Sequence, residues 1–271
     1  MKTRVIAGLS LVVGMMGIGL AAPKWCAALM WTALMAIAAY ELLHNTDLVQ
    51  EPRLVAYAVA AAFGCGVWSY FGAVFAWGLL GLVLFMALLF WEMMRSHVQI
   101  SFHKIAMTFM AGIAIPVMMC SIVRILTMSI GRYMVLIPFI AAVLNDTGGY
   151  FAGMFFGRHK LAPVISPKKT IEGAVGGVLL AMLGMALYAA ILDLLFDFHV
   201  NYAFALIYGF VGALFGMFGD LCFSVIKRQC GIKDYGNLIP GHGGVLDRFD
   251  SMLLVGPLVE ALLILIPVAV G

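Results

Sequence analysis

Residues 54–91 read LVAYAVAAAFGCGVWSYFGAVFAWGLLGLVLFMALLFW, 38 positions without one charged side chain. A helix needs about 20 apolar residues to cross the hydrocarbon core of a bilayer. The stretch is too long for one such helix and right for two, with a tight turn near Tyr70-Phe71-Gly72. No soluble domain can cover 38 uncharged residues of this kind, so the segment decides the fold class: a polytopic, all-α integral membrane protein. The composition agrees. Of 271 residues 64% are hydrophobic and 11% charged, less than half the charge that an ordinary water-facing surface carries. Gly and Pro together number 39 and no long polar run occurs, which excludes disordered and collagen-like chains.

Cutting the rest of the chain at charges and Gly/Pro punctuation gives further spans. Val5–Ala22 is a first run. Lys2 and Arg4 ahead of it, and Ala21-Ala22 at its end, have the look of a signal peptide, but a second apolar run, Trp25–Leu43, follows at once and argues against cleavage. After the pair within 54–91 come Ile105–Val123, Tyr133–Phe156 with Asp146 inside it, Gly173–Leu192, Ala203–Gly219, and Ser251–Val270 with Glu260 inside it. The expected count is about nine. Lys and Arg then partition between alternate connecting segments as 13 on the amino-terminal side and 3 on the other. By the positive-inside bias this predicts an inner-membrane protein with a cytoplasmic amino terminus. The longest charged loops, 158–172 and 220–250, would face the cytoplasm.

Charge is also uneven along the chain. Residues 146–250 hold 16 of the 29 charges. This suggests amino-terminal scaffold helices over residues 1–130 and a chemistry-bearing part over 131–271, together one membrane-embedded unit. No internal repeat of paired halves is evident, and the ionisable groups gather at one mouth instead of at mid-depth in several helices, which argues against a transporter. The net charge of +3, with bases scattered among acids, gives no basic face for a nucleic acid. The five cysteines are odd in number and lack CxxC spacing, so neither a disulfide framework nor a thiolate metal site is expected.

Asp146 in an apolar span costs on the order of 3 kcal/mol unless a cation, partner or wet cavity receives it. Gly149, Gly153 and Gly157 follow at every fourth position and form a face on which another helix can approach closely. The next loop contains Arg158 and Ser166-Pro167-Lys168-Lys169-Thr170; the lysines and Thr170 are expected to open the following helix, whose first amides favour an anion. In the second loop, a helix continuing past Gly219 would place Asp220, Ser224, Lys227 and Arg228 along one face. Lys233-Asp234, the turn Pro240-Gly241-His242-Gly243-Gly244, and Asp247, Arg248 and Asp250 complete the polar set. Aspartates offer short, hard oxygen ligands. With no Cys or His pair at metal spacing, the natural ion is Mg2+, with the number of ions open to a second cation.

These residues resemble the signature of the phosphatidate cytidylyltransferases, the CDP-diacylglycerol synthases. Ser224, Lys227-Arg228, Lys233-Asp234, Gly236, Leu238, Pro240, His242-Gly243-Gly244, Asp247-Arg248 and Asp250 carry the resemblance. Asp146, Tyr150, Gly153, Gly157-Arg158, Ser166 through Thr170 and Glu172-Gly173 are similar to the family's other polar block. The resemblance covers roughly the last 125 residues and implies condensation of CTP with phosphatidate, drawn from the bilayer, to CDP-diacylglycerol and pyrophosphate. It implies Mg2+ on Asp220 and Asp247, supported by Asp250 and Asp146. Lys227, Arg228, Lys233 and Arg248, with His242, Gly243 and Gly244, would take the nucleotide phosphates. Arg158, Ser166, Lys168 and Lys169 would take the lipid phosphate, and the two halves could be exchanged. A homodimer is compatible with the sequence, and ether or prenyl lipid phosphates are alternative substrates that share the pattern.

Overall fold

The computed structural model describes residues Gly14, Gly17, 19–72, 75–96, 99–196, 198–238 and 243–270. The described residues are mostly helical, with two small two-stranded sheets among them. Among the described residues seven helical segments are long and apolar enough to cross a membrane, and an eighth apolar helix is shorter. Of the expected first span, Val5–Ala22, only Gly14, Gly17 and residues 19–22 are among the described residues. Packing divides the chain into two units, residues 1–128 with 229–249, and residues 129–228 with 250–271.

In the first unit, α1 (Lys24–His44), α2 (Pro52–Phe71) and α3 (Phe75–Arg95) precede an interrupted fourth span. The 38-residue stretch does break where expected: Gly72 caps α2 in the left-handed conformation (φ 58°), a geometry open to glycine at little cost. The fourth span runs α4 (Phe102–Phe109), a π-helical turn (Met110–Ala114), α5 (Ile115–Met119) and α6 (Ser121–Thr127). Pro116 explains the irregularity, since it lacks an N–H and its ring crowds the carbonyl four residues back, at Gly112. Gly112 in turn lies against α2, where a Cβ would stand 2.9 Å from the Ala58 Cα. The carbonyl released at Met119 accepts from Trp31 Nε1 of α1 at 2.9 Å.

The second unit holds α7 (Gly131–Met134), α8 (Leu136–Phe156), β1 (Lys160–Ala162), β2 (Ser166–Thr170), α9 (Ile171–Phe196), β3 (His199–Val200), α10 (Tyr202–Gln229), α12 (Met252–Leu265) and β4 (Ala269–Val270). Between α10 and α12 the chain passes through α11 (Leu246–Phe249) of the first unit. Helices α8 and α9 meet through glycine. A Cβ at Gly148 would lie 2.7 Å from the Gly176 carbonyl, one at Gly173 2.7 Å from the Gly149 carbonyl, and one at Gly177 2.6 Å from the Asn145 carbonyl. The small-residue face expected from Gly149 and Gly153 is therefore a backbone-on-backbone helix contact.

Two expected boundaries are corrected and a third is extended. Lys168, Lys169 and Thr170 do not open a helix. They lie on β2, antiparallel to β1, and α9 starts at Ile171 with Thr170 Oγ1 accepting from the Gly173 N–H at 3.1 Å. The apolar span that ends at Gly219 is extended: helix α10 runs ten residues on to Gln229, the continuation on which the Asp220–Lys227 stripe depends. The last apolar run is helical only to Leu265 because Pro267 disfavours helix at the residue before it, and Ala269–Val270 instead pairs with β3.

Candidate functional site

In the second unit the extension of α10 sets Asp220, Ser224 and Lys227 on one helical face, as the spacing required. Two lysine–carboxylate contacts converge there. Lys169, from β2, forms an ion pair with Asp220, and Lys227 Nζ lies 3.6 Å from Asp250 Oδ2. Asp250 is buried, and its Oδ1 accepts from the Ser251 N–H at 2.8 Å. Burial raises its carboxyl to about 7, the charge of Asp220 adds to the shift, Lys227 opposes it, and Asp146 contributes from α8. The backbone explains why Asp220 and Asp250 come so close. Gly219 packs on the turn after α11, where a Cβ would stand 3.0 Å from the Asp250 carbonyl and 3.4 Å from the Ser251 Cα. Only glycine lets α10 sit this near.

Asp146 is not sealed in the protein: it lies on an exposed part of α8, with its charge felt at Asp250. Lys168 and Arg158 are exposed, Ser166 and Ser224 half-buried, and Arg228 exposed beside the α10 stripe. The 158–172 loop is tied down by Glu172, whose carboxylate accepts from the backbone N–H of Arg158 (3.0 Å) and of His159 (3.2 Å) and meets His159 Nδ1 at 2.6 Å.

In the first unit the described parts of the motif loop, 235–238 and 243–247, are built around two carboxylates. Asp247 Oδ2 accepts from the backbone N–H groups of Tyr235 (2.7 Å) and Gly244 (3.0 Å). Gly243 has φ +85°, and a Cβ there would stand 2.8 Å from Asp247 Oδ2. The second carboxylate is Glu41 of α1, which accepts from Val245 N–H at 3.0 Å and Leu246 N–H at 2.9 Å. Asn45 Nδ2 donates to the Tyr235 carbonyl at 2.8 Å. Lys233, Asp234 and Arg248 are exposed around this frame. His242 lies outside the described residues, as do Pro240 and Gly241.

Glu41, Asn45 and the bracing role of Glu172 were not read from the sequence. Glu41 had a signal, because it is an acid inside the apolar run Trp25–Leu43 and the rule applied to Asp146 applies equally to it. Glu92, at the end of α3 and paired with Arg53 at 3.2 Å, is a second buried acid of this kind.

Among the described residues no three Asp, Glu, His or Cys side chains gather at metal-holding distance. The donor chemistry of the second-unit cluster nevertheless fits a hard cation. Its ligating atoms are carboxylate oxygens, and the mutual repulsion of Asp220, Asp250 and Asp146 is a field that a divalent ion relieves.

The chain is also similar to known proteins. Proteins named phosphatidate cytidylyltransferase are 46% identical over 138 residues in Staphylococcus epidermidis, 45% over 139 residues in Staphylococcus haemolyticus and 46% over 141 residues in Staphylococcus aureus. Each match spans 51% of this chain and 52% of the relative, so the aligned part is about half the length of these proteins. The profile of the cytidylyltransferase family matches residues 2–266, nearly the whole sequence, and the chain therefore belongs to that family.

Proposed function

We propose that this membrane protein is a phosphatidate cytidylyltransferase, condensing CTP with phosphatidate to CDP-diacylglycerol and pyrophosphate. The observation that carries the reading is the alternation of lysine and aspartate in the second unit, Lys169 with Asp220 and Lys227 with Asp250, on a chain of the cytidylyltransferase family. Such a cluster suits a reaction between polyanions. Its lysines offer positive charge to phosphate oxygens, and its carboxylates offer hard oxygen atoms that would suit a divalent cation.

The phosphomonoester of the lipid has a second pKa of about 6, so it reaches the site largely dianionic and needs no strong base. One of its oxygens forms a bond to the α-phosphorus of CTP, the α–β phosphoanhydride bond breaks, and pyrophosphate leaves with the electron pair. The protein's work is to position the two anions and to hold the charge that develops on the leaving group. Lys227, Arg228, Lys233 and Arg248, with His242, Gly243 and Gly244, serve the nucleotide phosphates. Lys168, Lys169, Arg158 and Ser166 serve the lipid phosphate. Mg2+, when bound, supplies charge neutralisation of the phosphates, and Asp220 and Asp247 are its proposed ligands on the strength of the sequence motif. The protein works in the cell membrane with its charged loops in the cytoplasm, which the excess of Lys and Arg in those loops supports.

Detergent-purified protein given CTP, Mg2+ and a panel of lipid phosphates tests this. CDP-diacylglycerol from phosphatidate, detected by mass spectrometry and absent without Mg2+, is the expected product. Cytidylylation of a prenyl phosphate in preference to phosphatidate, or no cytidylylated lipid at all, would overturn the assignment.

A further inference from the structure

The glycine-rich loop of the motif takes its shape from a helix that carries no part of the motif. Glu41 presents its carboxylate to the backbone N–H groups of Val245 and Leu246, from a position 204 residues earlier in the chain. One turn further along α1, Asn45 donates to the Tyr235 carbonyl at the other end of the same loop. Trp31, lower on α1, meets Phe249 edge to face with ring centroids 4.9 Å apart. The glycines answer to this contact. A Cβ at Gly236 would stand 2.9 Å from Glu41 Cδ and 3.1 Å from the Gly244 Cα, and one at Gly244 would stand 2.6 Å from Glu41 Cδ.

The choice of a carboxylate is costly and so calls for a reason. Glu41 is 3% exposed, and a buried charge is justified energetically only where good hydrogen bonds receive it. If α1 served merely to pack against the loop, an apolar side chain would do so more cheaply. Two N–H groups of adjacent residues, each within 3.0 Å of a Glu41 oxygen, need two acceptors on one rigid group. Glutamine offers one acceptor and sets an NH2 against the second N–H.

We infer that Glu41 and Asn45 are positioning residues for the loop segments 235–238 and 243–247, holding Gly243-Gly244 and the start of α11 in the conformation that receives the nucleotide phosphates. The positioning role stands on the hydrogen bonds alone, while its effect on CTP rests on the function proposed above.

The test uses the full chain in detergent, comparing wild type with Glu41→Gln and Asn45→Ala by two readouts. In hydrogen exchange, the amides of 244–246 should lose protection about tenfold in Glu41→Gln while the amides of α8 and α9 keep theirs. In kinetics per folded protein, KM for CTP should rise about tenfold with KM for the lipid phosphate within twofold. Gly244→Ala should reproduce the rise in CTP KM, and the Glu41→Gln/Gly244→Ala double variant should add little to it. Unchanged exchange at 244–246 with unchanged CTP KM would overturn the inference. So would a fall in activity that tracks only the amount of folded protein. If Glu41→Gln fails to fold, Asn45→Ala carries both readouts. If wild type forms no cytidylylated lipid, the proposed function fails, and hydrogen exchange alone decides the positioning role.

Discussion

Asp220 and Asp250 show how a single carboxylate acquires chemistry from its surroundings. Asp220 is half-buried against Lys169, whereas Asp250 is buried beside Lys227 and within the field of two further aspartates. Replacing Asp220 by Asn keeps the shape and removes the charge, so cytidylyl transfer should fall at least about a hundredfold with the melting temperature little changed. Near-wild-type turnover would dissociate Asp220 from the chemistry. A different kind of carboxylate, Glu51, stands at the N-cap position of α2 without a side-chain capping bond and pairs with Lys104 of α4. Burial, the largest single influence, pushes its carboxyl up, but the Lys104 hydrogen bond and charge together with backbone hydrogen bonds outweigh it and hold the group below its ordinary value. A lowered carboxyl contributes stability above its unfolded pKa and loses it as pH falls through the folded value. Lys104→Met should therefore lower the melting temperature at pH 7 by an amount equivalent to about 1 kcal/mol or less, and the gap from wild type should narrow as the pH falls below the ordinary carboxylate range. Acids were legible in the sequence as costs. Which of them are braces for backbone, as Glu41 and Glu172 are, was not, because their amide partners lie 204 and 14 residues away.

At the scale of elements, the α8–α9 contact and the two loops follow a common plan in which backbone meets backbone or a single carboxylate. The glycine face separates two outcomes. A Cβ at Gly149 would find its nearest neighbour at 3.6 Å, an ordinary contact, so Gly149→Ala should be neutral within about 1 kcal/mol. A Cβ at Gly173 would meet the Gly149 carbonyl at 2.7 Å and Thr170 Oγ1 at 2.9 Å, forcing the helices apart. Gly173→Ala should cost about 2 kcal/mol or more, read as the difference in melting temperature in the same detergent. The glycine spacing announced such a face but not its partner. Helix ends were less legible still. The stripe from Asp220 to Lys227 required α10 to continue, and it does so because residues 220–229 include no helix breaker. Pro167 read as a turn before a helix, yet 166–170 pairs as a strand with 160–162 and keeps Lys169 in reach of Asp220.

The molecule as a whole is a set of apolar helices carrying a few polar clusters. Helix α9, with 26 residues, rises about 39 Å, more than the roughly 30 Å of a hydrocarbon core, and joins the loop at Arg158 to the segment at Asn201. In a background freed of its cysteines, a cysteine at Arg158 should resist a membrane-impermeant thiol reagent in intact cells, and one at Asn201 should react; the reverse labelling would invert the proposed orientation. The sequence by itself determined the bilayer as solvent, the helical class, the family and the short list of polar residues. The bilayer, the helical class and the polar residues follow from local composition and spacing, which need no knowledge of neighbours, and the family follows from the resemblance of the motif residues. Only the tertiary structure decided which charges meet. The pairing of Lys169 with Asp220, the burial of Asp250 and the grip of Glu41 on the amides of 245 and 246 each join residues distant in the chain. Such contacts depend on how closely backbones approach, and that approach is set by packed glycines whose partners the linear order does not name.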